Sequence, residues 1–449
     1  MEDFLFNDFN TLSPAAWKQK IQVDLKGADY NNSLVWKSNE GISVKPFYTS
    51  EDRHHNFISL PDKGYKICQS IFIDDIIIAN KLALDSLNKG ATAIQFTAIK
   101  TFDHTILLEK IDIKKIPIYF NFEFLDANFI SEIKKYCSEG LIYFQLDIIG
   151  NLAKTGNWFS NLNADISETN KFINLVDNSI CVDASLYQNA GATIIQELAY
   201  ALAHTNEYIE IFGTSIASRI HYSFSVGGNY FFEIAKLRAF RLLQASLLEE
   251  HGVKKTAIHI FTKPSLRNKT IYDYNINMLR TTSECMSAIL GGSDTISNIS
   301  YDSVYHKSNE FGERIARNQL LILQKEAYLS EAQNFANGSY YIENIERQFA
   351  EKALEVFKQI EENGGFLKQL KNGSIQKKIY ENTQKQQDQF DQDKITLLGT
   401  NKLPDLNERM KQELQIYPFL KTKNSKTLIA PILQRRISEK NEMIRLKKE

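Results

Sequence analysis

The chain has no surplus of either charge. Lys+Arg total 53 and Asp+Glu 54, a net charge of −1 over 449 residues. Nucleic-acid and anionic-membrane binders draw affinity from a basic surplus, so both classes are disfavoured, although a local basic patch stays open. Cysteine is scarce: Cys68, Cys137, Cys181 and Cys285 lie far apart and form no C-x-x-C pair. Neither a zinc site nor a disulfide framework is indicated, and four reduced, buried thiols are expected. With 8 Pro and 20 Gly, a disordered or linker-rich chain is also disfavoured. No apolar run reaches the roughly 18 residues that span a bilayer. The longest, SIFIDDIIIAN, is broken by Asp74 and Asp75. The N-terminus, MEDFLFNDFN, is acidic where a signal peptide is basic. A cytoplasmic protein is expected, with no nucleic-acid or membrane partner. The P-loop, G-x-G-x-x-G, G-x-S-x-G and H-E-x-x-H patterns are all missing.

What is present is ordinary globular material, 43% hydrophobic and 24% charged, long enough for two or three domains or one large barrel with additions. Short β-rich runs alternate with helical runs. Expected strands are Ile67–Ile73, Ala93–Thr97, Pro117–Phe122, Leu141–Asp147, Ile180–Asp183, Arg219–Ser225, Thr256–Phe261 and Thr295–Ser300. The helices that follow them are expected near Asp75–Asn88, Thr105–Ile111, Asn128–Ser138, Glu168–Val176, Ala192–His204, Asn229–His251, Tyr274–Leu290 and Asn309–Glu326. In the run after Asn229, Phe232, Ala235, Ala239, Leu243 and Leu247 share one helical face. Strands joined by crossover helices run parallel. Eight such units in this length match an α/β fold of the (β/α)8 TIM-barrel type. A doubly wound open sheet is the alternative that the count leaves open. Residues 61–335 are the expected barrel, 1–60 an N-terminal arm carrying Trp17 and Trp36, and 336–449 a C-terminal helical extension. Its run SIQKKIYENTQKQQDQFDQDK reads as a solvated helix, and its end QRRISEKNEMIRLKKE as solvated or frayed.

Candidate residues are few. Gly227–Gly228 and Gly291–Gly292 sit at helix ends, where tight turns explain them better than a phosphate cradle. His54 and His55 beside Asp52 read as loop residues with no further metal ligand nearby. His221 falls in a barrel strand, where it is either catalytic near the C-terminal end or, more simply, a core histidine. Phe96, Phe120, Phe122, Phe144 and Phe224 fit a plugged barrel, and fit outward packing under the helices equally well, because a one-residue register shift exchanges the faces.

Four ordered, collinear stretches carry a resemblance over nearly the whole chain. They are WKQKIQVDLKGADYNNSLVWKSNEGISVKPFY (Trp17–Tyr48), NAGATIIQELAYAL (Asn189–Leu202), GGNYFFEIAKLRAFRLL (Gly227–Leu243) and LRTTSECMSAILGGSDTISNISYD (Leu279–Asp302). The last is continued by ERIARNQLLILQKEA and NGSYYIENIERQFAEKALEVFKQIEENGGF. The chain resembles the methylmalonyl-CoA mutase family, and most of all the small, or beta, subunits of its bacterial heterodimeric members. The resemblance implies a (β/α)8 barrel and a part in the adenosylcobalamin-dependent radical interconversion of methylmalonyl-CoA and succinyl-CoA. In active chains of the family, coenzyme A threads the barrel axis and a Tyr-His pair meets the thioester.

This sequence departs from that pattern. Where active chains read G-Y-H-M-Q-E-A-G-A-T, it reads ASLYQNAGAT, which places Ser185 at the tyrosine position and Leu186 at the histidine position. A leucine neither donates nor accepts a hydrogen bond, so a carbonyl there would lose a partner worth roughly 0.5–1.5 kcal/mol. The R-P-W and T-M-Y elements have no counterpart between Tyr48 and Ile71. The cobalt-ligating D-x-H-x-x-G has only a chance near match, starting at Asp52 and ending in Phe57, and no flavodoxin-like cobalamin domain is expected. The resemblance therefore implies a non-catalytic small subunit with no catalytic, cofactor-binding or metal residues of its own. Adenosylcobalamin and acyl-CoA would be held by a large (alpha) partner chain in a heterodimer. Trp17, Trp36, Pro46 and Tyr48 are the candidate partner contacts, aromatic anchors being common at interfaces. Two alternatives remain. One is an active acyl-CoA mutase barrel served by a separate cobalamin-binding protein. The other is a structural or binding module for a related mutase.

Overall fold

The computed structural model describes residues 8, 10, 12–53, 58, 60, 64–254, 257–331, 334–420 and 426–449. His54 and His55 lie outside them. In the arm, a helix at Pro14–Asp24 and a short hairpin of β1 (Trp36–Lys37) and β2 (Ser43–Val44) precede the main sheet. Eight further strands follow among the described residues: β3 (Lys66–Phe72), β4 (Ala93–Ala98), β5 (Ile118–Phe122), β6 (Ile142–Phe144), β7 (Ile180–Asp183), β8 (Ile220–Val226), β9 (Ile260–Pro264) and β10 (Thr295–Ile296). Their order is β6-β5-β4-β3-β10-β9-β8-β7. Every neighbouring pair is parallel. The first and last strands in sequence are thus neighbours, with Thr295 opposite Lys66. The two sheet ends also meet, since Phe144 N–H donates to Asn178 O at 3.0 Å and Cys181 N–H to Leu146 O at 2.9 Å. An open doubly wound sheet cannot do this, so the fold is a TIM barrel.

Strand ends and helix starts are coupled by caps. Asp75, Asp126, Asp147 and Thr193 each stand just before a helix, and each side chain accepts a backbone N–H of its first turn. Between β6 and β7 the chain departs from expectation. In place of a helix at Glu168–Val176 there are two, Ile148–Thr155 and Leu162–Asn170. Gly156 ends the first with φ +79°, and a Cβ there would stand 2.6 Å from the Ile429 carbonyl. Phe172, Ile173 and Val176 gave the helical impression, but they are buried from a turn. β10 is also shorter than Thr295–Ser300, because after Ser297 donates to Thr262 O the chain leaves the ladder.

The phenylalanines face outward. Phe96, Phe120, Phe122 and Phe144 share a cluster with Ala79, Leu107, Ile130 and Ile133 of the surrounding helices. Phe224 meets Phe240 of the helix Tyr230–Glu250 edge-on, at 4.8 Å between centroids. All four cysteines are buried and free, as expected. No helix among the described residues is long and apolar enough to cross a membrane.

The C-terminal extension is less solvated than its composition suggests. The helix Ser374–Asp391 buries Ile375, Ile379, Thr383 and Phe390. Thr383 Oγ1 donates to Ala190 O and Asn382 to Gly191 O, at the loop after β7. The charged end is a correction. Arg436, Ser438, Glu439 and Glu442 are buried. Arg436 pairs with Glu442 at 2.6 Å and donates to Lys269 O and Pro418 O, while Glu442 accepts the Ile271 N–H. Backbone groups of the barrel loops satisfy these charges, which composition cannot reveal.

A second buried pair fixes the long helix Tyr340–Glu362 to the barrel. Arg238 Nε meets Glu346 Oε2 at 2.6 Å, with both side chains inaccessible. Burial pushes the Glu346 carboxyl up to about 7, against the pull of Arg238. Glu346→Leu leaves Arg238 unpaired, and the urea-unfolding free energy is expected to drop by about 3–5 kcal/mol. Arg238→Met with Glu346→Leu should recover most of that loss. A single variant as stable as the parent would show the pair to be inert.

Candidate functional site at the barrel mouth

Alternation along each strand decides what fills the axis. Inward positions form two layers. The lower one is aromatic. Tyr119 stacks on Tyr143 at 4.7 Å and lies 4.9 Å from Phe261, with Cys68 and Ala93 beside it. Its hydroxyl bonds His259 Nε2 at 2.9 Å and Thr295 Oγ1 at 2.8 Å. The upper layer is a polar plate. Ser70 bonds Ser297 at 2.9 Å and donates to Gln95 Oε1 at 2.6 Å, and Gln95 Nε2 donates to Gln145 Oε1. Lys263 Nζ donates to the same Gln95 oxygen at 2.6 Å. The axis is therefore filled, by residues other than the five phenylalanines.

His221 belongs to the lower layer. It is the second residue of β8, fully buried, with its ring edge-on to Tyr143 at 5.5 Å. Burial, then His259, push it down to about 3, so it is a neutral core histidine and not a mouth residue.

Above the plate opens a cavity of about 410 Å³, lined among others by Asn121, Gln145, Asp147, Asp183, Ser185, Leu186, Ser223 and Lys263. Ser185 and Leu186 are thus brought to the mouth, on the turn after β7. Ser185 Oγ donates to Asp183 Oδ1, and Leu186 is 1% exposed. Behind them lies a hub that the sequence did not reveal. Asp147 accepts Tyr208 Oη at 2.7 Å and Gly150 N–H at 2.6 Å on Oδ1, and Asp183 N–H at 2.9 Å on Oδ2. His204 Nε2 stands 3.0 Å from Oδ1, and its Nδ1 meets Tyr187 Oη at 3.0 Å. Burial alone would raise the Asp147 carboxyl; His204 and these donors hold it below its ordinary value. The only available signal was positional: Asp183 ends β7 and Asp147 stands three residues past β6, both on the C-terminal side, where such folds place their chemistry.

The arm lies on the chain's own surface. Trp36 stacks on Phe232 at 5.4 Å, Tyr48 meets Tyr341 at 5.5 Å, and Trp17 meets Phe47 within the arm at 6.4 Å. Tyr48 Oη also accepts Lys45 N–H, next to Pro46. Both tryptophans stay about half exposed, at 47% and 51%. Glu40, at the hairpin tip, was missed by sequence reasoning although it sits inside the first resembling stretch. It accepts the Ile194 N–H at the start of the helix Ile194–Phe212. Beside it, Lys236 Nζ is held by Glu197 at 2.9 Å, Glu233 at 2.6 Å and Ser225 O. The Gly227–Gly228 turn joins this cluster, with Gly227 N–H donating to Glu233 Oε1 at 2.9 Å. Among the described residues no group of three or more His, Cys, Asp or Glu is arranged to hold a metal.

A closed parallel barrel whose C-terminal mouth carries the polar side chains places the chain in the enzyme-bearing (β/α)8 class. The family model for methylmalonyl-CoA mutase matches residues 90–445. The chain is 33% identical to the methylmalonyl-CoA mutase small subunit of Porphyromonas gingivalis, over 90% of this chain and 72% of that one. It is 28% identical to the methylmalonyl-CoA mutase of Cereibacter sphaeroides, over 86% of this chain and 64% of that one. The P. gingivalis large subunit is 31% identical over 50% of this chain and 33% of that one. The chain belongs to the methylmalonyl-CoA mutase family, an isomerase family, and it spans between about a third and three quarters of these relatives' own lengths.

Three carboxylates facing one ammonium make arm docking proton-linked. Burial pushes Glu40 up to about 7 and Glu197 up to about 8. Raised carboxyl values stabilise the fold fully below the unfolded value near 4.5, and that contribution is lost as pH climbs through 7 to 8. The urea midpoint is expected to fall between about pH 4.5 and about pH 8, and Glu40→Gln to flatten part of the fall below about pH 7. An unchanged slope in the variant would remove Glu40 from the linkage.

Proposed function

We infer that this chain is the small subunit of a heterodimeric methylmalonyl-CoA mutase and makes no turnover itself. It supports a large chain that interconverts methylmalonyl-CoA and succinyl-CoA. The observation that carries the reading is the filled axis beneath Leu186. A thioester thread would have to displace both the Tyr119–Tyr143–Phe261 layer and the Gln95–Gln145–Lys263 plate. At the mouth, Leu186 offers the carbonyl no hydrogen bond. The occurrence of named small and large subunits in P. gingivalis supports the two-chain arrangement.

The family's cofactor is adenosylcobalamin, which supplies the initiating radical. The described residues at the mouth do not fit a cobalt ligand. His204 is wedged between Asp147 and Tyr187, and His221 and His259 belong to the axial filling. The cofactor and the acyl-CoA are accordingly assigned to the partner, and no step is routed through this barrel. On this reading the unit boundaries are the arm at 1–60, the barrel at 61–335 and the extension at 336–449. Trp17, Trp36, Pro46 and Tyr48 form the face offered to the large chain, since two half-exposed indoles on a pinned arm suit an interface.

The test is purification of the chain alone and co-expressed with a large subunit. Expected are no turnover and no retained cobalamin for the lone chain, activity for the pair, and weaker pairing in Trp17→Ala/Trp36→Ala. Turnover or tight cobalamin binding by the lone chain sinks the reading. The mouth cavity gives one specific reason to consider the active-barrel alternative. A coenzyme A titration decides it, because that version must hold the thioester in this barrel.

A further inference from the structure

The mouth cavity contains a buried cation with no carboxylate at ion-pair distance among the described residues. Lys263 projects from β9 into the upper layer, where its ammonium bonds Gln95 Oε1 at 2.6 Å and lies 5.6 Å from the centre of the Phe261 ring, while Asp183 and Glu313 act on it from farther away. Two of its three N–H donors are uncommitted to protein. Asp183, at the end of β7, lines the same cavity. Its Oδ1 is taken by Ser185 Oγ and N–H, whereas Oδ2 accepts nothing from the described residues. The two groups share a cavity of about 410 Å³ without touching each other. Its remaining lining includes the neutral polar groups of Asn121, Gln145 and Ser223, and the charged side chains of Asp147, Glu123 and Lys154. Burial pushes the Lys263 ammonium down, so an anion that restores its solvation gains most there.

We propose that the barrel mouth is a binding site for a small free hydroxycarboxylate, with the carboxylate on Lys263 and the hydroxyl donating to Asp183. A ligand that meets both groups needs an acceptor head for the ammonium and a donor for the free carboxylate oxygen. The lining carboxylates Asp147, Asp183 and Glu123 outnumber Lys154 and Lys263, which disfavours multiply charged anions such as phosphate. The floor of Gln95 and Gln145 limits depth, and the volume of about 410 Å³ suits a ligand a few carbons long. This site would be an effector position and does not depend on whether the chain turns over acyl-CoA.

The experiment is thermal unfolding of the full chain with L-lactate, acetate or inorganic phosphate at constant ionic strength, followed by calorimetric titration. Saturable stabilisation is expected with lactate, less with acetate and none with phosphate. Lys263→Gln keeps a donor for Gln95 and should weaken lactate binding about tenfold or more. Asp183→Asn should reduce the preference for lactate over acetate while leaving acetate binding in place, which a merely structural role would not do. Absence of saturable stabilisation by either carboxylate overturns the proposal. So does lactate binding that Lys263→Gln and Asp183→Asn both leave unchanged.

Discussion

A ring of eight parallel strands encloses an axis that must be filled by side chains, and everything else in this molecule is arranged around how that filling is done. Aliphatic residues commonly fill such barrels. Here the lower layer is Tyr119, Tyr143 and Phe261, with His259 and Thr295 bonded to the Tyr119 hydroxyl. Each buried polar group in such a layer needs a partner, since an orphan costs about 1–3 kcal/mol. The upper layer meets the same demand with amides and hydroxyls joined edge to edge from Ser297 through Ser70 and Gln95 to Gln145. A network of this kind is rigid when complete. It gives the mouth cavity a fixed polar floor, and it closes the route that a long thread along the axis would need.

The arm and the extension solve a related problem from outside. Both reach the barrel with charged side chains, and in both the charge is received by a group already in place. Glu40 meets a helix N-terminus, where unpaired N–H groups and the helix dipole favour a carboxylate. Arg238 and Glu346 neutralise each other between two helices, and Arg436 divides its donors between Glu442 and loop carbonyls. Buried pairs add little net stability when compared with well-packed apolar residues. They do specify where a segment docks, because a misplaced charge would be left uncompensated. The extension therefore lies over the loops after β6, β7 and β9 in a defined register, with Ile432 N–H on Ala153 O, Arg435 N–H on Asn189 O and Ile437 N–H on Arg267 O.

Legibility followed the physics of each element. The strands around Ile118–Phe122, Ile180–Asp183 and Ile220–Val226 were readable because parallel strands buried on both faces have compact apolar signatures. The helices after Asp75 and Asn229 were readable from periodicity, and Asp75 also caps the first of them. The pair of helices between β6 and β7 was not, because Phe172, Ile173 and Val176 imitate helical spacing from a turn. The facing of the phenylalanines was undecidable from alternation alone, since the pattern has period two and carries no sign. The charged end looked solvated because composition counts charges and cannot count the carbonyls that receive them. At the mouth, Ser185 and Leu186 were placed by resemblance. Asp147, His204 and Lys263 stayed hidden, because 57, 59 and 116 residues separate Asp147 from His204, His204 from Lys263, and Asp147 from Lys263. Only closure of the ring brings them to one end.

Leu186 sits where the polar hub behind the barrel mouth meets the mouth cavity. It occupies the turn after β7, between Ser185 on Asp183 and Tyr187 on His204. The scaffold that aims this turn at the mouth is intact: Asp147 still receives Asp183 N–H, Gly150 N–H and Tyr208 Oη. Leu186 brings no hydrogen-bonding side chain to the cavity, and the hub behind it draws its bonds from other residues. The hub is buried structure whose loss would leave Asp147 uncompensated, and that cost applies whatever the chain does. Leu186 itself is buried and packs in the main hydrophobic cluster, so an apolar side chain at that position suits the framework around it. The polar hub around Asp147 and the apolar packing of Leu186 thus meet in one turn at the barrel mouth, each satisfied by its own neighbours.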